Sequence, residues 1–147
     1  MTMLSDVEIE ERIRSKSLVL EPFDPSLLGG AGYDLRLGVD IVVQAGSHQL
    51  AVTQERVELP DDLAGTLHIR SSLARIGIIA SLALVDPGFR GQLTVSLFNA
   101  GGEVLVMKKG DRFLQMSLHT LGKKSLRPYR GRYQNSQGIV ERRENCQ

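Results

Sequence analysis

Four short segments carry most of the residues able to act on an anionic ligand. In Leu84-Val85-Asp86-Pro87-Gly88-Phe89-Arg90-Gly91 an acid ends an apolar run and meets a tight turn and an aromatic ring. That order can set a carboxylate at a pocket floor beside a stacking ring; as plain structure it is an Asp-Pro-Gly hairpin turn. In Arg70-Ser71-Ser72-Leu73-Ala74-Arg75 two hydroxyls sit between arginines. Beside exposed backbone N–H groups they suit phosphate oxygens, and equally well they open a helix with a surface arginine. Gly29-Gly30-Ala31-Gly32-Tyr33-Asp34-Leu35-Arg36 is small enough to let backbone approach a ligand, and Asp34 can bind a hydrated cation. Its structural alternative is a Gly-rich turn before a strand. Gly110-Asp111-Arg112-Phe113-Leu114-Gln115-Met116 reads by itself as a turn and an ordinary strand.

These segments need a scaffold. Ser5 to Arg14 reads as a helix, with Ser5 as cap, Glu8 completing a capping box, and Val7, Ile9 and Ile13 as its apolar side. No second segment makes a convincing helix. After Pro22, short β-branched runs alternate with Gly, Pro, Asn and Asp. Strands are expected at 18–21, 33–37, 39–44, 48–53, 55–58, 65–70, 78–80, 93–98, 103–107 and 112–119. Many short strands at such spacing predict an all-β fold, a sandwich or barrel-like jelly roll. The 147 residues show no repeat and no linker, so one domain over 1–147 is expected. Residues 122–147 are polar, basic and without periodicity, and read as a C-terminal arm, frayed or ordered by a ligand or a neighbouring subunit.

Composition narrows the function. A net charge of +1 argues against nucleic acid as the main partner. The single cysteine, Cys146, can form no internal disulfide and fits a reducing compartment. A zinc deaminase signature needs a C-x-x-C that one cysteine cannot build. No apolar run is long enough to span a membrane and no secretory signal is seen, so a cytoplasmic protein with no membrane partner is expected.

Taken in order, A-G-Y-D-L, R-S-S-L-A, V-D-P-G-F-R-G and G-D-R-x-x-Q resemble the first four motifs of trimeric dUTPases. Leu93-Thr94-Val95-Ser96-Leu97-Phe98-Asn99 fits the strand that follows the third. The N-terminus, from Met3-Leu4-Ser5-Asp6 through Glu21-Pro22-Phe23-Asp24-Pro25 to Tyr33-Asp34-Leu35-Arg36-Leu37-Gly38, resembles a dCTP deaminase, and R-S-S-L-A-R at 70–75 does as well. So does the tail, Arg127-Pro128-Tyr129 with Gly131-Arg132-Tyr133-Gln134-Asn135-Ser136-Gln137-Gly138. The chain is thus similar to the dUTPase / dCTP deaminase superfamily over nearly its whole length. The resemblance implies a distorted jelly-roll, barrel-like dUTPase fold with a short N-terminal helix.

The two branches share that fold, so only the site separates them. Deaminases of the superfamily use a glutamate on the strand after the third motif; here the matching position is Ser96. A serine is no useful general base near neutral pH without an activating partner. The short Gly77–Asp86 interval also looks like the dUTPase hairpin. Both features favour a diphosphatase that splits dUTP into dUMP and pyrophosphate. The fifth dUTPase motif, a Gly-rich tail over the phosphates, is absent. The resemblance implies Asp86 as the residue that deprotonates the attacking water. It implies Arg70, Ser71, Ser72, Arg75 and Gln115 as phosphate contacts, and Mg²⁺ across phosphate oxygens with Asp34 reaching it through water. Phe89 would lie under deoxyribose, and backbone around Ala83, within 80–85, would read uracil. Arg132, Tyr133 and Gln137 of the tail would close the site. It implies a homotrimer with sites between subunits, a neighbour supplying the Arg70–Ser72 loop and the tail. The competing expectations are a dCTP deaminase, alone or bifunctional, and a non-catalytic nucleotide-binding regulator.

Overall fold

A computed structural model describes residues 2–144; Met1 and 145–147, with Cys146, lie outside it. Helix α1, Asp6–Arg14, begins as its sequence dictates. The Glu8 N–H donates to Ser5 Oγ at 3.4 Å and the Ser5 N–H to Glu8 Oε2 at 2.8 Å. Asp6 and Glu8 in the first turn and Arg12 and Arg14 in the last complement the helix dipole. Ile9 is fully buried and Ile13 partly so, but Val7 is exposed. Two residues on an α-helix are about 200° apart, so Val7 and Ile9 cannot share a face. Arg12 ties the helix to Asp62, 2.8 Å away, just before the strand that starts at Leu63.

The strands follow as β1 Val19–Glu21, β2 Leu28–Gly29, β3 Gly32–Arg36, β4 Ile41–Val43, β5 His48–Glu58, β6 Leu63–Ile69, β7 Ile78–Ser81, β8 Arg90–Asn99, β9 Leu105–Met107 and β10 Arg112–Thr120. They form two four-stranded sheets, β1-β5-β8-β7 and β2-β3-β10-β6, with a β4-β9 ribbon, all pairs antiparallel. The expected all-β barrel-like architecture is observed. Inward positions of β8, such as Leu93, Val95 and Leu97, alternate with more exposed ones and join a single core with Tyr33, Leu35, Phe113, Leu114 and Met116.

Three expectations are corrected. The separate strands at 48–53 and 55–58 are one strand, β5, with a register shift between Val52 and Arg56. Buried Thr53 bridges that bulge, its Oγ1 accepting from Leu93 N at 2.9 Å and donating to Glu55 O at 2.8 Å. A second helix exists: α2, Ser71–Arg75, a single turn anchored by buried Leu73 and too short to show periodicity. A 3₁₀ turn, Pro25–Leu27, also precedes β2.

The arm packs along the edge of its own chain. Tyr129 N donates to Pro87 O at 2.7 Å, Asn135 N to Arg90 O at 2.7 Å and Gln92 N to Ser136 O at 2.9 Å. Gly91, at φ +144°, makes the close approach possible, since a Cβ there would lie 2.8 Å from Ser136 N. Polar side chains complete the seam: Gln134 Nε2 donates to Gly88 O at 2.9 Å and Val140 N to Thr94 Oγ1 at 3.1 Å. Such bonds leave no hydrophobic period to read.

Candidate functional site

Asp86 owes its position to one bridge. After β7 the chain returns to β6, where Gly65 and Val85 exchange two backbone hydrogen bonds of 2.9 Å. Val85 is thereby buried, and Asp86, the next residue, faces out. Phe89 N closes the Asp86–Phe89 turn on Asp86 O at 3.1 Å. Phe89 is mostly buried and meets Tyr129 of the arm edge-on, ring centres 5.5 Å apart.

Beside this turn lies a cavity of about 470 Å³. Its walls are residues 81–86, Phe89, β8 from Gln92 to Ser96, and the arm through Tyr129, Tyr133, Ser136, Val140 and Arg142. It gathers four expected site residues, Ala83, Asp86, Phe89 and Tyr133. Asp86 and Arg142 are the charged side chains among the described lining, so Asp86 is the one carboxylate there.

The other expected residues stand apart from it. Asp34 on β3 lies 3.5 Å from Arg70 Nε and 3.4 Å from Arg112 Nη1. Gln115 is its register partner on β10. Ser71, Ser72 and Arg75 are exposed on α2, directly after Arg70. This cationic group lines no part of the Asp86 cavity within one chain. Gly32 serves packing instead of a ligand: a Cβ there would stand 2.6 Å from the Met116 carbonyl oxygen of β10. Arg132 donates to Arg143 O at 2.6 Å, and Gln137 is exposed; neither lines the cavity.

The residues do not fit a resident cation. Among the described residues no three His, Cys, Asp or Glu side chains gather as a ligand set, and Asp34 already faces two guanidinium groups.

Sequence reasoning missed His48. Its Nδ1 lies 3.2 Å from Ser96 Oγ, and Ser96 lines the cavity. The two are 48 residues apart and meet only because β5 pairs with β8, where Leu50 faces Ser96 and His48 faces Phe98. Nothing local signals that register. Tyr129 and Arg142 were missed as lining residues for the same reason, the unreadable arm.

The family model for dCTP deaminase-like proteins matches residues 39–121. A protein named dCTP deaminase in Thermococcus gammatolerans is 43% identical, the match covering 94% of each chain.

The chain belongs to the dCTP deaminase-like family.

A relative in Sulfolobus islandicus rod-shaped virus 1, named a probable deoxyuridine 5'-triphosphate nucleotidohydrolase, is 31% identical over 97% of this chain and 99% of its own. The family's neighbourhood thus spans both names, as the motifs imply. In fold the chain matches the crystal structure of 2'-deoxycytidine 5'-triphosphate deaminase from Agrobacterium tumefaciens, with a TM-score of 0.70 at 19% identity. The match covers 82% of this chain and 49% of that one, so this chain spans about half the length of that deaminase. No helix among the described residues is long and apolar enough to cross a membrane.

Proposed function

We propose that the chain acts on deoxypyrimidine nucleoside triphosphates and hydrolyses dUTP to dUMP and pyrophosphate. The observation that carries this reading is the inventory of the cavity: one carboxylate, Asp86, and a serine where the deaminase branch has its glutamate. Attack on the α-phosphorus needs one base for the water and cations for the phosphates. Asp86 is the base. Phe89, braced by Tyr129, lies under the sugar, where a flat ring leaves no room for a 2′-hydroxyl. Backbone around Ala83 reads the base, and Tyr133 covers it. The cations are Arg70, Arg75 and Arg112, with Ser71, Ser72 and Gln115 as further donors. Because they lie away from Asp86 in one chain, they reach the site from another copy, in a homotrimer. Any Mg²⁺ would arrive with the triphosphate, and no step here depends on it.

Deamination of dCTP is the second reading, and the names of relatives such as that of Thermococcus gammatolerans favour it over the first. One incubation with dUTP and with dCTP separates the two, by resolving dUMP, pyrophosphate, dUTP and ammonia. Asp86→Asn tests the base itself. It keeps the side chain's shape and removes its ability to take a proton. Pyrophosphate release should fall by roughly 10²–10⁴-fold, while a non-hydrolysable dUTP analogue still binds. Asn is as good a turn residue as Asp before Pro87. A folded variant with near wild-type turnover therefore removes Asp86 from the chemistry.

A further inference from the structure

Away from the Asp86 cavity, two imidazoles meet on the outer face of the β6–β10 pair. Leu67, Met116 and Leu118 of these strands point into the core, so Thr66, His68, Ser117 and His119 point out, all on one face. Thr66 and Ser117 are register partners, and their hydroxyls share a hydrogen bond of 2.6 Å. His68 lies two residues further along β6, and His119 two residues further along β10. The strands are antiparallel, so the two rings come in from opposite ends of the hydroxyl pair. Both lean to its middle. His68 Nε2 lies 3.1 Å from Ser117 Oγ, and His119 Nε2 lies 3.0 Å from Thr66 Oγ1. The crossed distances are 3.5 Å from His68 to Thr66 and 3.3 Å from His119 to Ser117. Ser117 is buried, His119 half-buried and His68 exposed. Two ring nitrogens, 51 positions apart in sequence by strand register alone, thus converge on one spot that solvent reaches.

We propose that His68 and His119 chelate a divalent transition metal of the class that prefers imidazole nitrogen, Zn²⁺, Ni²⁺ or Cu²⁺, and that the ion clamps β6 to β10. Imidazole suits these ions, whereas Mg²⁺ and Ca²⁺ take oxygen ligands. Two ring nitrogens of a tetrahedral site stand about 3.3 Å apart, at metal–nitrogen bonds of about 2.0–2.1 Å. Rings that already share hydroxyl partners approach that spacing by side-chain rotation, without a change in strand register. The hydroxyls do not oppose this. When the rings turn to the ion, Thr66 and Ser117 keep their bond to one another, so buried Ser117 is not left without a partner. Water completes the coordination. Two protein ligands are fewer than the three or four of a permanent zinc site, so the ion loads and leaves with its concentration. His68 stands two residues before Arg70, and β10 also carries Arg112 and Gln115. The ion therefore stiffens the frame under the cationic group. It does so from outside the Asp86 cavity, which neither histidine lines.

The test is calorimetric titration of untagged protein, first stripped with a chelator, with ZnCl₂ and NiCl₂, and with MgCl₂ as the hard-cation control. Wild-type protein should bind Zn²⁺ and Ni²⁺ at no more than one ion per chain, and Mg²⁺ far more weakly. His68→Gln and His119→Gln keep an amide able to bond the hydroxyls, so each should match the wild type in metal-free urea unfolding. Each should lose more than roughly tenfold in Zn²⁺ and Ni²⁺ affinity, the least that losing even an outer-shell partner costs. His48→Gln and Cys146→Ser remove the chain's remaining imidazole and its thiol and should change nothing. At a hundredfold excess over Kd, Zn²⁺ should raise the wild-type Tm by roughly 5–10 °C, and the same concentration should leave both glutamine variants nearly unmoved. Folded wild-type protein that binds neither Zn²⁺ nor Ni²⁺ overturns the proposal. So does affinity that survives in both glutamine variants, affinity lost in His48→Gln or Cys146→Ser instead, or Mg²⁺ bound as tightly as Zn²⁺. Binding that leaves the wild-type Tm where it was overturns the clamp.

Discussion

Glu55 offers the sharpest test of how the fold holds Asp34. It is fully buried on β5. Its Oε1 accepts from Arg36 Nε at 2.6 Å and its Oε2 from the Arg36 backbone N–H at 2.9 Å. Arg36 also donates through Nη2 to Pro22 O at 2.7 Å, and its side chain is 16% exposed. The pair therefore fixes β3 two residues from Asp34, on the same strand face. Glu55→Ala leaves a nearly buried guanidinium without its anion and a backbone N–H without an acceptor. Breaking one side of such a pair costs about 3–5 kcal/mol. At ~2–4 °C per kcal/mol for a chain of this size, Tm should fall by roughly 6–20 °C. The double variant Glu55→Met with Arg36→Met removes both charges at similar volume. It should recover most of that loss, because an apolar pair in place of a buried ion pair is often neutral. Urea unfolding at one fixed protein concentration measures both variants. A single-variant loss below about 1 kcal/mol, the worth of an exposed pair, refutes the reasoning. A double variant as unstable as the single refutes it too, since the loss would then be packing and not an uncompensated charge.

Two further outcomes are expected. The hydrogen bond from the Arg12 guanidinium holds the Asp62 carboxyl below its ordinary range, against the opposing effect of burial. Its stabilisation is complete above the unfolded carboxylate value of about 3.9 and fades as pH falls through the lower folded value. With the two side chains 28% and 25% exposed, the effect is at most about 1 kcal/mol. Asp62→Asn should flatten the acid limb of a stability–pH curve by that amount, and an unchanged limb would show the pair contributes nothing. For the split site, mixing Asp86→Asn with Arg70→Ala and allowing subunits to exchange should recover partial dUTP hydrolysis, because some mixed sites hold both native residues. Mixtures no more active than their parents would place both residues in one chain's site.

What the sequence made legible was local or periodic. The capping box of α1 depends on residues three apart, and it is present as read. The alternation along β8 is set by the strand's own period, and its buried Leu93, Val95 and Leu97 follow it. Val7, imperfectly spaced from Ile9 and Ile13, falls on the exposed side of the helix. The β5 bulge was invisible because buried Thr53 substitutes for ladder bonds to a strand some forty residues away. The arm was read as an arm, but its docking was not legible, because side-chain and backbone hydrogen bonds to residues 87–94 hold it and such bonds leave no pattern in composition. In the site, Asp86 and Phe89 were legible because one turn carries both. The 3.5 Å approach of Arg70 to Asp34 was not legible, since motif order says nothing about which segments meet or which cavity they face.

The choice between the two reactions comes down to protons. Hydrolysis at phosphorus asks the protein for one base, and Asp86 is enough. Deamination at C4 asks for a base and an acid, and a serine alone at position 96 would exclude it. Ammonia released from dCTP would overturn the argument from Ser96 and make the chain a deaminase. Hydrolysis of dUTP without any ammonia from dCTP leaves Asp86 as the group that handles the proton at the site.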